Sequence, residues 1–209
     1  DLFSKMMQNI GLNKDDEIII YDNSPFLSSA RAWFLFRYFG HDKIFIMQGG
    51  VKNWENNGGN ITNGNVVLEK GNYIASAERK ELVVNLDQMI LASQNKENVI
   101  LDARSRKRFL GEALEPRPNL PSGHIPNSQS LPSSDLINKD GYLKSKDEIN
   151  QIFSNIKVNT NDKIIATCGS GVSACVISIA LFCLGKKDIP IYDGSWTEWA
   201  SSGQEIKTN

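Results

Sequence analysis

The sequence predicts a duplicated α/β fold in which mainly parallel sheets are flanked by helices. Apolar strands alternate with helical segments, which is typical of parallel sheets with helices on both faces. The order strand, loop, helix, short strand, turn and aromatic helix also occurs twice, roughly 145 residues apart. Because that period is the size of a domain, the chain is predicted to hold two related domains.

The first copy reads EIIIYDNSPFLSSARAWFLFRYFGHDKIFIMQGGVKNWENNGG. Its strand ends at Asp22, and a helix is predicted next because apolar residues recur at helical spacing: Ala30, Trp33, Phe34 and Phe36. Gly40 is a typical stop after such a helix, and KIFIM is predicted to be a second short strand.

The second copy reads KIIATCGSGVSACVISIALFCLGKKDIPIYDGSWTEWASSGQ. Its strand ends at Cys168, its helix stops near Gly185, and Trp199 takes the place that Trp54 has in the first copy. The same domain is predicted to contain a further strand in NVILDAR, from Asn98 to Arg104, followed by the segment GHIPNSQSLP.

The first copy has no counterpart of those two segments, so its domain is predicted to be incomplete at the N-terminus. Since the chain starts with Asp1 rather than methionine, we expect it to begin inside a longer protein. The polar stretch from Ile61 to Lys80 is typical of a linker. The predicted organisation is a degenerate, non-catalytic domain at residues 1–64, a linker at 65–82 and a catalytic domain at 83–209.

Composition and charge exclude several classes of partner. Of the 209 residues, 40% are hydrophobic and 22% are charged, and the net charge is −1. These values are ordinary for a globular protein and provide no basic surface for nucleic acid or membranes. The longest apolar run, Val172 to Leu184, is too short to span a bilayer and is predicted to be a buried helix.

The three cysteines, Cys168, Cys175 and Cys183, lie on one predicted loop and helix. Their odd number argues against a disulfide framework. Their spacing, with His41 and His124 distant in sequence, does not match a zinc site. A reducing compartment such as the cytoplasm is the simplest expectation.

The segment CGSGVSA places a thiol between the end of a buried strand and the start of a helix. Backbone N–H groups of such a loop, together with the helix N-terminus, stabilise an anion at its centre. Gly169 and Gly171 are expected to allow a tight curl by adopting positive φ angles. The same field favours a thiolate or a persulfide, so Cys168 is either a nucleophile or a structural cysteine. The first copy has Asp22 at the corresponding place, so the fold itself does not require a cysteine there. This favours the role of Cys168 as a nucleophile.

Two other strand–loop–helix chemistries do not fit this loop. A nucleotide-binding P-loop needs a lysine before Ser or Thr at the helix start. A cysteine phosphatase needs an arginine at the end of its loop to clamp phosphate. Residues 168–174 contain neither a lysine nor an arginine. A thiolate that accepts a sulfur atom needs only the N–H donors, and this chemistry remains.

The motifs CGSGVSA, YDGSWTEW and GHIP, with the tandem arrangement, resemble the rhodanese-like sulfurtransferase family over nearly the whole chain. The loop is most similar to that of the 3-mercaptopyruvate type, C-G-S-G-V-[ST]-A. The thiosulfate type carries basic residues where this chain has Gly169 and Ser170. The segment RFLGEALEPRP agrees, because the 3-mercaptopyruvate type has two arginines at the spacing of Arg108 and Arg117.

The resemblance implies covalent sulfur transfer through a persulfide on Cys168. It implies that Ser170 contacts the donor or relays a proton. It also implies that Arg108 and Arg117 bind the donor carboxylate, which a guanidinium matches in a bidentate way. The other residues expected to line the donor site belong to the loop: Gly169, Gly171, Val172 and Ser173.

Alternative roles stay open for several of these residues. The arginines are otherwise solvated side chains or ion-pair partners of Glu112 and Glu115, and Ser170 is otherwise a cap of the following helix. Cys175 and Cys183 are expected to be small core residues, with a redox partnership as the alternative for Cys175.

Three further residues are expected to tie loops together rather than perform chemistry: Asp102, Asp193 and His124. Asn127 replaces a glycine of the family pattern GHIPGA, and asparagine tolerates left-handed backbone geometry better than most residues. In the family, the first domain supplies an aspartate and a histidine that support the loop serine, and no residue here matches them. We expect them upstream of Asp1, or a weaker activity without them.

The expected donor is 3-mercaptopyruvate, with thiosulfate as the alternative. The expected acceptor is a thiol, such as thioredoxin or a small thiol, or cyanide, and pyruvate is the other product. The rival hypothesis is a persulfide carrier or binding module with little turnover. No metal, organic cofactor, nucleic acid or membrane is implied.

Overall fold

The computed structural model describes residues 1–24, 27–64 and 66–208. Within these residues, helices and short strands alternate along the chain. The helices are α1 (Leu2–Asn9), α2 (Leu27–Tyr38), α3 (Gly50–Asn56), α4 (Leu86–Gln94), α5 (Arg106–Phe109), α6 (Lys146–Asn155), α7 (Ala174–Cys183) and α8 (Ser195–Ser201). The strands are β1 (Ile18–Ile20), β2 (Ile44–Ile46), β3 (Val83–Val84), β4 (Asn98–Asp102), β5 (Ser128–Ser130), β6 (Lys163–Thr167) and β7 (Ile191–Tyr192).

The strands form two parallel sheets, which confirms the predicted α/β fold class. In the first domain β1 pairs with β2. In the second domain the order is β3-β7-β6-β4-β5, so β6 is the central strand. Every pairing in this sheet is parallel. The carboxyl ends of β4, β6 and β7 therefore meet at one edge, where parallel sheets place their binding sites.

The two domains share one hydrophobic core. Helices α2 and α7, which are corresponding elements of the two copies, pack against each other. The Trp33 ring meets the Phe182 ring edge-on at 5.1 Å, and the Arg37 guanidinium lies over both rings. The predicted buried helix is confirmed, because every residue of α7 from Ala174 to Leu181 is buried.

The glycines expected to stop the two helices do so. Gly40 and Gly185 have φ angles of +79° and +96°, a left-handed conformation that ends an α-helix. The strand predicted to run from Asn98 to Arg104 is shorter, because β4 ends at Asp102. The Arg104 N–H donates to Asp102 Oδ1 at 2.9 Å, and this turn takes the chain out of the sheet.

The predicted linker at residues 65–82 contains no helix or strand between residues 66 and 79. The segment is nevertheless anchored on the first domain. The Gly71 N–H donates to the Gln8 carbonyl, and the Tyr73 N–H donates to the Leu12 carbonyl. The Tyr73 side chain is buried. The domain boundaries stay a prediction, and this segment packs as part of the first domain.

Among the described residues, no helix combines the length and the apolar character needed to cross a bilayer.

Candidate active site

Cys168 lies at the carboxyl end of the central strand β6, where the chain enters the loop that leads to α7. The neighbouring strands bring Asp102, at the end of β4, and Asp193, just after β7, to the same edge. Cys168 is only 1% exposed. We call residues 168–173 the cysteine loop.

The curl of the cysteine loop depends on Gly171. Its φ angle is +73°, and a Cβ at this position would lie 2.8 Å from Asp193 Oδ1. The expectation of a positive φ angle at Gly169 is wrong, since its backbone is not left-handed. A Cβ at Gly169 would lie 3.1 Å from Nη2 of Arg108. Glycine is needed there for space, because it lets the guanidinium approach the loop.

Ser195 supports the cysteine loop, although it is not among the site residues predicted from the sequence. Its Oγ accepts hydrogen bonds from the backbone N–H groups of Cys168, at 3.2 Å, and Gly171, at 3.0 Å. The same hydroxyl donates to the Tyr192 carbonyl at 2.7 Å. Its oxygen lies 3.9 Å from Cys168 Sγ. Two backbone N–H groups of the loop therefore donate to the buried Ser195 hydroxyl. The thiol is not surrounded by a complete ring of free N–H groups, as a simple anion-binding loop would provide.

The repeat contained the signal that identifies Ser195. In the alignment of the two copies, GSWTEW matches GGVKNW, so Ser195 matches Gly50. Both residues have left-handed backbones, with φ angles of +52° and +61°. This conformation is unfavourable for a serine. A serine kept at a position where glycine is easier indicates that its side chain is used.

The remaining backbone donors of the loop are open. The N–H groups of five positions, four in the loop and one just after it, make no hydrogen bond to the described residues: Gly169, Ser170, Val172, Ser173 and Ala174. These groups are available to an anion beside Cys168. The cap position of α7 is Ser173, which makes no side-chain capping bond. The alternative role of Ser170 as a helix cap is therefore wrong, and Ser170 is exposed on the loop.

Arg31, on α2 of the first domain, contacts the cysteine loop from across the domain interface. Its Nη1 donates to the Gly171 carbonyl at 3.1 Å and to Asp193 Oδ1 at 2.7 Å. Asp193 therefore ties loops together as expected, and it does so between the two domains. No motif in the sequence indicates Arg31, which is 140 residues away from Gly171 along the chain.

Of the two arginines predicted from the resemblance, Arg108 lies next to Gly169, and Arg117 is linked to Gly169 through Thr197. Arg108 lies against the Gly169 Cα, as the close approach of Nη2 shows. Arg117 Nη1 donates to Thr197 Oγ1 at 3.1 Å, and that hydroxyl donates to the Gly169 carbonyl at 2.6 Å. Arg108 also forms an ion pair with Glu115, as the alternative interpretation of the arginines predicts. Within the described residues, Glu112 forms no such pair with either arginine.

Asp102 and His124, which are expected to be structural, have that role as well. The Asp102 carboxylate accepts hydrogen bonds from the backbone and the guanidinium of Arg104. The His124 ring stacks on Phe109 at 3.9 Å, and its Nδ1 lies 2.8 Å from the Phe109 carbonyl oxygen. Asn127 has a φ angle of +63°, the left-handed conformation that its replacement of glycine predicted.

Comparison with known proteins agrees with this geometry. The rhodanese-like domain model matches residues 1–57 and 85–202, which is most of the chain. The chain belongs to the rhodanese-like family.

The curated relatives of this rhodanese-like chain are sulfurtransferases. It is 38% identical over 201 residues to 3-mercaptopyruvate sulfurtransferase from Escherichia coli strain K12, covering 96% of this chain and 71% of the relative. It is 35% identical to thiosulfate sulfurtransferase from Mus musculus, covering 94% and 67%. The crystal structure of SseA from Escherichia coli superposes with a TM-score of 0.83 at 36% identity, covering 94% and 72%. The predicted sulfurtransferase class is confirmed.

Cys175 of this rhodanese-like domain lies directly under the cysteine loop. Its thiol donates to the Gly171 carbonyl at 3.3 Å. Burial is the main cause that raises the pKa of the Cys175 thiol to about 12, although nearby Arg31 opposes it. The pKa of Cys183 is also raised by burial. Both thiols stay protonated near neutral pH, which favours a core role over a redox partnership for Cys175.

The buried Cys175 thiol predicts a loss of stability in alkali. An unfolded chain ionises this thiol near its ordinary pKa of 9.0, whereas the folded chain does so only near 12. Because the folded pKa is the raised one, the stabilisation is complete below pH 9.0 and is lost as the pH rises towards 12. The free energy of unfolding is expected to fall by about 1.4 kcal/mol per pH unit in this window.

Urea unfolding at several pH values from about 8 to 10.5 measures this slope. The variant Cys175→Ala lacks the thiol and is expected to show a shallower decline, because the remaining titrating groups are unchanged. Equal slopes for the parent and the variant would contradict the burial of a protonated thiol.

Proposed function

We propose that this protein transfers sulfur from 3-mercaptopyruvate to a thiol or cyanide acceptor through a persulfide on Cys168. The observation that carries the proposal is the position of Arg108 next to Gly169, the residue that follows the proposed nucleophile, with Arg117 linked to the same residue through Thr197. A small α-keto acid has one carboxylate for the arginines and one sulfur for the thiolate. The Escherichia coli relative with this activity supports the choice of donor.

Arg108 offers a free face to that carboxylate. Its Nε and Nη2 donate to Glu115. The Nη1 hydrogens and the second Nη2 hydrogen have no acceptor among the described residues. One Nη1 hydrogen and this second Nη2 hydrogen form the end-on fork of the guanidinium, which binds a carboxylate through two parallel bonds. Glu115 balances the charge of Arg108, and this balance favours a monoanionic donor over a dianion.

The proposed reaction consists of two half-reactions. The Cys168 thiolate attacks the donor sulfur, a sulfur–sulfur bond forms, and the carbon–sulfur bond breaks. Its electron pair passes to the enolate of pyruvate, and the proton from the donor thiol ends on the pyruvate methyl group, relayed by Ser170 or solvent. The open N–H groups of the loop stabilise the persulfide anion. An acceptor thiolate or cyanide then attacks the outer sulfur and restores Cys168, so ping-pong kinetics are expected.

The acceptor class follows from the chemistry of the persulfide. Any accessible thiolate can take the outer sulfur, including a small thiol or the thiol of thioredoxin, and cyanide takes it as thiocyanate. All three cysteines of the chain are free thiols. A reducing compartment such as the cytoplasm suits a thiol nucleophile and thiol acceptors.

Thiosulfate is the second candidate donor, because a mouse relative with 35% identity is a thiosulfate sulfurtransferase. The loop of this chain argues against it. Gly169 and Ser170 are uncharged, and Glu115 balances the charge of Arg108. A dianion requires more positive charge than Arg117 alone provides. A carrier with little turnover is the remaining rival, and the arginine pair beside Cys168 argues for a site that binds a small donor.

Replacement of either arginine distinguishes the donors. Losing a charge-assisted hydrogen bond costs about 1.5–3 kcal/mol, so Arg108→Ala is expected to lower kcat/KM for 3-mercaptopyruvate by roughly a hundredfold. Arg117→Ala is expected to cost about tenfold, because Arg117 is exposed and solvent weakens its field. The loss of kcat/KM with thiosulfate as donor is expected to be smaller for both variants. Steady-state kinetics with each donor and cyanide as acceptor measure the ratio.

The matched control is Arg106→Ala, which removes an exposed arginine from the same short helix, α5. Its kcat/KM is expected to stay within about twofold of the parent. Equal losses with both donors in Arg108→Ala and Arg117→Ala would show that these residues support structure rather than carboxylate binding.

A further inference from the structure

Four charged side chains form a buried cluster next to the cysteine loop. They are Asp102, Arg104, Glu115 and Arg108, and we call them the charge cluster. The side chains of Asp102 and Arg104 are 1% and 0% exposed, and that of Glu115 is 2% exposed. Only Arg108 reaches solvent, with 22% of its side chain exposed. The cluster therefore runs from the core of the second domain to the edge of the candidate donor site.

Arg104 is the fixed end of the charge cluster. Its Nε and Nη2 donate to the Asp102 carboxylate, and Nη2 also donates to the Gly123 carbonyl at 2.7 Å. Its guanidinium lies over the Trp196 ring at 4.3 Å. Its Nη1 donates to Glu115 Oε1 at 3.0 Å. Contacts on every side hold this guanidinium, so it sets the position of the Glu115 carboxylate.

Glu115 in turn binds Arg108 through both of its oxygens. Oε1 accepts from Arg108 Nε at 3.0 Å, and Oε2 accepts from Arg108 Nη2 at 2.5 Å. This side-on bidentate pairing fixes the plane of the guanidinium and not only its location. It leaves the end-on fork beside Gly169, where glycine provides the space.

We propose that Glu115 is a positioning residue for donor binding, which holds Arg108 so that its end-on fork meets the donor carboxylate beside Cys168. This inference rests on the proposed role of Arg108. A free arginine side chain has many rotamers, and ordering them when the donor binds weakens binding. Glu115 orders them beforehand. Since the carboxylate is bound equally in the ground state and the transition state, the effect belongs in KM rather than kcat.

A double-mutant cycle tests the inference. Glu115→Gln, Arg108→Ala and the double variant are compared with the parent, using 3-mercaptopyruvate as donor and cyanide as acceptor. Glu115→Gln is expected to raise KM about tenfold and to leave kcat within about threefold. In the Arg108→Ala background, the same change is expected to raise KM by less than about twofold, because its target is gone.

Two measurements separate positioning from damage to the fold. The rate at which neutral iodoacetamide alkylates Cys168 reports the loop and the nucleophile without involving Arg108, and it is expected to be unchanged. Glu112→Gln, an exposed carboxylate three residues away, is the matched control and is expected to behave like the parent. If Glu115→Gln does not fold, Glu115→Asp keeps the buried charge but retracts the carboxylate, and its KM is expected to rise in the same direction.

The outcomes are distinct. An unchanged KM in the folded Glu115 variant, or effects of the two substitutions that simply multiply, would overturn the positioning role and leave the role of Arg108 standing. An unchanged KM in Arg108→Ala would overturn both. A rise in KM confined to the background with Arg108 present supports the inference.

Discussion

Replacing Cys168 with serine is expected to abolish sulfur transfer and to leave the fold intact. A hydroxyl cannot carry a sulfane sulfur, so kcat should fall by a factor on the order of 10⁴ or more. Serine fits the site, because the hydrogen bond of residue 168 to Ser195 uses the backbone N–H rather than the side chain. The melting temperature is expected to change by no more than about 4 °C.

Thiocyanate formation from 3-mercaptopyruvate and cyanide measures the loss of turnover. Cys175→Ser and Cys183→Ser are the matched controls, because they change the other thiols of the same segment. Both are expected to keep kcat within about threefold of the parent. A Cys168→Ser variant with more than about a tenth of the parental kcat would exclude Cys168 as the nucleophile.

Gly171→Ala is expected to have the second largest effect, on both stability and activity. The left-handed backbone costs a non-glycine residue about 1–2 kcal/mol. The added Cβ would also lie 2.8 Å from Asp193 Oδ1 and 2.9 Å from the Asp193 carbonyl oxygen. Relief requires the loop to move away from its contacts with Ser195 and Arg31. A displacement of about 1 Å at a catalytic loop costs roughly a hundredfold in kcat.

Gly203→Ala is the control for the backbone strain alone. Its φ angle of +74° is nearly the same, but a Cβ there would meet no atom within 4 Å. It is expected to lose about 1–2 kcal/mol of stability in urea unfolding and to keep its kcat. Similar kcat values for Gly171→Ala and Gly203→Ala would show that the geometry of the cysteine loop does not set the rate.

The first domain illustrates what becomes of the same loop without a thiol. Asp22 occupies the place of Cys168, and its carboxylate accepts hydrogen bonds from the Ser29 N–H at 2.6 Å and from the Ser24 hydroxyl at 2.9 Å. The loop therefore holds an anion that belongs to the chain itself. This arrangement supports the prediction that the first domain does not catalyse. The neighbouring residues Pro25 and Phe26 lie outside the described residues.

Local patterns were enough to predict the elements that carry the site. Strand β6 and helix α7 follow from an apolar run interrupted by small residues, and the stops at Gly40 and Gly185 follow from backbone chemistry. The sequence pattern extends β4 two residues too far, because the turn at Asp102 depends on a hydrogen bond with the Arg104 backbone. Periodicity contains no information about such a bond.

The placement of Cys168 at the end of β6 and of Arg108 near its loop was also predictable, because each residue is part of a short motif. The residues that hold them were not, because their contacts join distant parts of the chain. Arg31 reaches the loop from the first domain, and Ser195 reaches it from the turn after β7. From the sequence, Glu115 is predicted only as a possible ion-pair partner of the arginines. Its function follows from the buried contact with Arg104, which no spacing in the sequence indicates.

Mass spectrometry of the protein treated with 3-mercaptopyruvate, without an acceptor, tests the central claim most directly. The peptide that contains Cys168 is expected to gain one sulfur atom, and later addition of cyanide is expected to remove it as thiocyanate. Peptides carrying only Cys183 should be unchanged, and fragmentation separates Cys168 from Cys175. A sulfur atom found on Cys175 or Cys183, or no added sulfur in a folded protein, would contradict the persulfide mechanism at Cys168.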